Sequence, residues 1–154
     1  MIFGRLPTKA NLVARRMLAH DANLCVAGYG EAETAQHLFV SCPIFSALWH
    51  QVRAWTGVSG ADPFDVSDHF IQFTFLTGRA ATQRSFMQLV WLSCVWVLWT
   101  ERDNRQFNNT EINIHQLFEK IQTHSYWWLK AANAIHVLWI YNWLACPTLC
   151  LGIG

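Results

Sequence analysis

The sequence is short of charge. Only 14% of its 154 residues are Asp, Glu, Lys or Arg, and 11 basic against 10 acidic side chains leave a formal net charge of +1. Bulk charge therefore selects no class of partner. A long uninterrupted apolar run is missing too. Residues 86–99 are the most apolar stretch, but Gln88, Ser93 and Cys94 interrupt them, and a membrane-spanning helix needs about 20 apolar residues. A second apolar stretch, residues 135–151, holds His136, Asn142 and Pro147. A membrane-associated helical protein is thus the weaker alternative. No secretory signal opens the chain, and the cysteine count, five, is odd. Both features argue against a secreted disulfide framework and for a reducing intracellular compartment, the nucleus among them. Catalytic signatures are also absent. There is no Gly-x-Ser-x-Gly elbow and no Gly-x4-Gly-Lys phosphate loop. No two of Asp21, Asp62, Asp65, Asp68 and Asp103 are adjacent, whereas polymerase and two-metal nuclease sites need converging carboxylates. The expectation is a protein that is not an enzyme and takes no small-molecule substrate.

What the chain does have is apolar and aromatic mass. Hydrophobic residues make up 53% of it, with nine tryptophans, enough to bury a core and to exclude disorder. The patterning predicts a mainly α fold. Thr8 is placed to cap a first helix, with Leu6, Ala10, Val13 and Met17 at helical spacing. A short helix is expected over residues 32–40. Pro43 suits the start of the next, whose stripe is Ile44, Leu48, Val52 and Trp55 and whose stop is Gly57. Asp65 or Ser67 can cap a helix through Phe70, Phe73 and Phe75. Thr82 can cap a longer one reaching Phe107, apolar on every face at its centre, with Glu101 and Arg105 at pairing distance near its end. The last long helix carries Ile114, Leu117, Phe118, Ile121, Trp128 and Leu129 on one face. Trp127 and Trp128 could stack on bases, although core packing is the simpler role. Basic residues cluster early: Lys9, Arg15 and Arg16 precede any acidic residue. They are the candidate phosphate contacts, or else simply the solvated face of a helix.

Chemistry concentrates at Cys25, His37 and Cys42. His37-x4-Cys42 has the spacing of half a zinc knuckle, and a tetrahedral site asks for two ligands on each side of a loop. The partner of Cys25 should be a cysteine at position 28 or 29, where this chain has Gly28 and Tyr29. His20 lies five residues before Cys25 and is a possible substitute. Spacing alone equally permits two ordinary buried cysteines.

The surrounding residues add a resemblance. Leu24-Cys25, then Gly30-Glu31-Ala32-Glu33-Thr34, then His37-Leu38-Phe39-Val40-Ser41-Cys42-Pro43 and Ala47-Leu48-Trp49 resemble the reverse-transcriptase zinc-binding domain of plant non-LTR (LINE-type) retrotransposons. Arg5-Leu6-Pro7-Thr8-Lys9-x-Asn11-Leu12 upstream is similar to that family's segment, as is Trp99-x-Glu101-Arg102-Asp103-Asn104-Arg105-x-Phe107 downstream. The resemblance implies a small irregular helical domain with a degenerate zinc-knuckle loop, followed by a helical C-terminal segment. Its divisions are residues 1–57 as a partial zinc-binding domain, 58–81 as a linker with a short helix, and 82–154 as a helical tail. Relatives carry further apolar sequence ahead of the Arg-Leu-Pro-Thr segment, so some apolar surface is expected to stand uncovered.

The implied function is that of a fragment of a retrotransposon polyprotein: an accessory module binding zinc and nucleic acid, RNA or DNA. The alternative is a remnant of a decayed element. The resemblance places zinc ligands on Cys25, His37 and Cys42, with the fourth position on Tyr29. A phenol, with a pKa of about 10, is a poor zinc ligand at neutral pH. A Tyr29→Cys variant is therefore expected to hold zinc more tightly than the natural chain in competition with a chromogenic chelator. Equal affinities would remove position 29 from the site.

Overall fold

The computed structural model describes residues 2–27, 30–60, 62–63, 65–75, 81–132 and 140–147. The fold is mainly α, as the patterning predicts. Its helices are α1 (Lys9–Ala14), α2 (Ser46–Thr56), α3 (Val66–Thr74), α4 (Ala81–Phe107), α5 (Ile114–Ala131) and α6 (Ile140–Ala145), with a π-helical turn at His37–Ser41. The long helix α4 is the spine. α3 and α5 pack along it, and α2 and α6 pack against α5. The π-helical turn sits where α2, α3 and α4 meet. Among the described residues no helix is long and apolar enough to cross a membrane.

Local signals place several helix ends. The Thr8 hydroxyl accepts from the Asn11 amide at 3.3 Å, and the Asp65 carboxylate accepts from the Ser67 and Asp68 amides. Gly57 ends α2 at φ 69°, a left-handed conformation that favours glycine. Asn113 and Gln116 form a reciprocal capping box at the start of α5.

Other expectations are corrected. α1 is shorter than its apolar spacing suggests, because Arg16 takes φ 59° and turns the chain; Met17 lies beyond the helix and is exposed. No helix begins at Ala32, which instead pairs with Leu24 in an antiparallel bridge. α2 begins at Ser46 rather than Pro43, since residues 43–45 form a turn. Nor is α4 buried all round. Met87, Val90, Trp91, Cys94 and Leu98 face the core, but Leu92 and Trp96 are 45% and 52% exposed. They border an open aromatic groove of about 600 Å³, with Phe3, Phe39, Trp91 and Trp128 among its walls.

Large aromatic rings fill the core, and their polar atoms are bonded. Trp49 donates its indole N–H to the Phe39 carbonyl at 2.6 Å. Trp143 donates to the Gln122 carbonyl at 3.1 Å, and Trp55 donates to the Trp143 and Leu144 carbonyls, tying α6 to α5 and α2. Trp91 donates to Nδ1 of fully buried His69 at 3.0 Å. An indole can only donate, so Nδ1 is the acceptor and the ring proton sits on Nε2. Nε2 then donates to Asp62 at 2.9 Å, and Asp62 also accepts from Arg53 Nε at 2.8 Å. This chain of bonds fixes the 58–65 connection against α2, α3 and α4.

A second polar anchor joins segments 69 residues apart in the sequence. Glu33 is fully buried, and Arg102 of α4 is 4% exposed. Arg102 Nη2 donates to Glu33 Oε1 at 2.7 Å and Nε bridges both carboxylate oxygens, while the Lys9 amide donates to Oε1 at 3.0 Å. Near the end of α4, Glu101 accepts from Arg105 at 2.7 Å and from the Ile112 amide at 3.0 Å, which holds the turn into α5.

These anchors can be tested in two ways. Removing one member of a buried pair strands the other charge, at about 3–5 kcal/mol. Arg102→Met is expected to lose stability on that scale in urea titrations, and Arg102→Met combined with Glu33→Leu to recover most of it. A single-variant loss below about 1 kcal/mol would show that the pair does not hold the fold. For Asp62, burial pushes the carboxyl up, but the bonds from His69 and Arg53 outweigh it and hold it below the ordinary range. A depressed carboxyl stabilises the fold above its unfolded pKa of about 3.9, and that stability is lost as pH falls through the folded value. The melting-temperature gap between the natural chain and Asp62→Asn is expected to close below about pH 4. A gap independent of pH would overturn the assignment.

Candidate metal centre

The loop before the π-helical turn doubles back on itself. The Cys25 amide donates to the Glu31 carbonyl at 2.8 Å, and the Glu33 amide to the Asn23 carbonyl at 2.8 Å. Gly30, at φ 69°, makes the reversal. Thr34 comes just before the helical residues that start at Ala35, and its hydroxyl accepts from the His37 amide at 3.0 Å.

His37 and Cys42 meet because of the turn between them. On an α-helix, residues five apart lie about 140° apart around the axis. Here the Cys42 amide bonds to the His37 carbonyl at 2.7 Å, an i to i+5 closure that widens the turn and brings both side chains to one side. The reversed loop delivers Cys25 to the same point. The ligand atoms of Cys25, His37 and Cys42 all lie within 4.8 Å of one another. Donors around a single zinc ion stand about 3.5–3.8 Å apart, so a small contraction would complete the arrangement.

The three side chains are 4%, 8% and 0% exposed. His37 Nε2 is buried without a hydrogen-bond partner among the described residues. An orphaned buried imidazole nitrogen is uncommon unless something outside the protein takes its lone pair. Of the two sulfurs, Cys42 is the one prepared for negative charge. The Cys25 thiol donates to Cys42, which, with the amides of Phe45 and Ile44, draws Cys42 down to about 5 against the opposing effect of burial. Sharing its proton with Cys42 pushes Cys25 up, as does burial, while the Ala27 amide works the other way. Amides aimed at both sulfurs favour the thiolate that metal coordination requires. The group could therefore hold a metal ion.

Not every candidate residue joins it. Tyr29 lies outside the described residues. His20 is exposed in a short helical turn and is not a member of the group. Lys9 is partly committed elsewhere, its ammonium donating to the Leu24 carbonyl at 2.8 Å, while Arg15 and Arg16 stand exposed at the end of α1. Trp128 is half-buried and Trp127 is 53% exposed, with the Lys130 ammonium 5.1 Å from its ring centre. Sequence reasoning missed Glu33 and Arg102 as supports of the 23–33 loop that carries Cys25. Each stands inside a segment that carries the family resemblance, but 69 residues of sequence separate them.

No protein-family model matches this chain, and neither a curated protein nor a solved structure matches it.

Proposed function

We propose that this chain is a zinc-stapled accessory module that binds nucleic acid and has no catalytic activity of its own. The observation that carries the reading is the convergence of Cys25, His37 and Cys42 around the orphaned His37 Nε2. Two thiolates and an imidazole suit zinc among the common cations, whereas magnesium and calcium prefer oxygen donors. Zinc would supply a cross-link between the 23–33 loop and the turn leading into α2. The donors are buried and packed into the core, which suits a structural site better than one open to substrate. The fourth position would fall to Tyr29 or to water.

The nucleic-acid part of the reading has its own support. It consists of the family resemblance and the exposed Arg15 and Arg16 beside the metal loop's anchor at Lys9. These two arginines are the better phosphate contacts of the early basic cluster, since Lys9 already has a backbone partner.

Metal analysis of the purified chain tests the reading. Close to one zinc per chain is expected, with a clear fall in melting temperature on chelation and loss of the metal in His37→Ala. A chain that takes up no zinc, and whose melting ignores the chelator, would leave a decayed module as the better account. On single-stranded RNA, replacing Arg15 and Arg16 together is expected to flatten the salt dependence of binding by about two ionic contacts. An unchanged slope would remove them from the interface.

A further inference from the structure

We propose that Cys25 and Cys42 are a thiol-oxidation site, at which a hydroperoxide closes a disulfide across the metal centre and expels the ion. The disulfide rests on the placement of the two sulfurs; only the release of metal rests on the proposed zinc site.

The sulfurs are already neighbours. They lie within 4.8 Å of each other, in two segments that meet at this point. A disulfide needs them at about 2.05 Å, so the approach is short, but backbone on at least one side must give. Neither cysteine is inside an α-helix. Cys25 lies in the loop just after the Leu24–Ala32 bridge, and Cys42 comes directly after the π-helical turn with an extended ψ of 123°. Cys94, by contrast, lies in the middle of α4 and belongs to no such group.

The chemistry balances with the hydroperoxide as oxidant. In the metal-free chain, the Cys42 sulfur attacks the peroxide oxygen, the O–O bond breaks, and a sulfenic acid and an alcohol (water, for hydrogen peroxide) are formed. The Cys25 sulfur then attacks the sulfenic sulfur and displaces water, with its thiol proton leaving on that water. Two thiols and one peroxide become one disulfide, one alcohol and one water. In the metal-loaded chain two protons are taken from solvent in place of the thiol protons. A disulfide is a far poorer ligand than two thiolates, so the ion would keep His37 as its one strong ligand and would leave. The new bond joins the same two segments that the metal joined, so the fold is expected to persist through the exchange.

The full chain is treated with hydrogen peroxide, and its zinc content is measured beforehand. Peptide mass mapping is expected to find a Cys25–Cys42 link with the loss of two hydrogens. Each link formed should release one zinc to a chromogenic chelator, and dithiothreitol should restore both thiols and zinc uptake. Oxidation to sulfinic acid without a link, or links confined to Cys94, Cys146 or Cys150, would overturn the proposal. A chain with no zinc beforehand would count against the metal reading alone, because the link can still be mapped in it.

Discussion

A buried carboxylate at Glu33 organises the N-terminal half of this protein around its longest helix. It accepts from the Lys9 amide at the start of α1 and from two nitrogens of Arg102 on α4, and its own amide closes the metal loop onto Asn23. Arg102 in turn lies over the Trp99 ring at 4.9 Å and reaches Asp103 at 2.8 Å. Desolvating both charges offsets much of what their attraction contributes, so the pair adds little net stability over apolar residues of the same shape. Its effect is on uniqueness. Any other register of α4 against the 23–33 loop would leave a charge buried and unpaired. The segment around Glu33-Thr34 and the segment around Glu101-Arg102 lie far apart in the sequence, and in three dimensions they are bonded.

The same requirement shapes the aromatic core. Nine tryptophans in 154 residues bring nine indole donors, and a donor buried without an acceptor is costly. Trp49 and Trp143 meet theirs in carbonyls of the π-helical turn and of α5, and Trp91 in the ring of His69. The acceptor role imposed on His69 Nδ1 places its proton toward Asp62, which draws in Arg53. One hydrophobic cluster thus runs from Cys25 to Trp143, with directed polar bonds at its margins.

The candidate metal centre is packed into that cluster, and its geometry comes from backbone choices. A π-helical closure aligns His37 with Cys42, Gly30 takes a left-handed conformation in the loop after Cys25, and the Thr34 hydroxyl accepts from the His37 amide. The orphaned His37 nitrogen and the amides directed at both sulfurs are what a cation would use. A fold that needed only two small apolar side chains at Cys25 and Cys42 would have no use for either feature.

Much of this was determined by the sequence alone. Helical class, the caps at Thr8 and Asp65, the stop at Gly57 and the pairing of Glu101 with Arg105 depend on neighbours within a few residues, and local patterning reads such neighbours directly. The three donor residues were legible as well, because side-chain chemistry and spacing are sequence properties. Only the tertiary structure decided that they converge, since an interval of five residues brings side chains together in a π-helical turn and separates them in an α-helix. It also decided which face of α4 stays open at Leu92 and Trp96, and that Glu33 meets Arg102. These are contacts between segments tens of residues apart, set by how helices pack and by where buried polar groups find partners, and no local pattern carries that information.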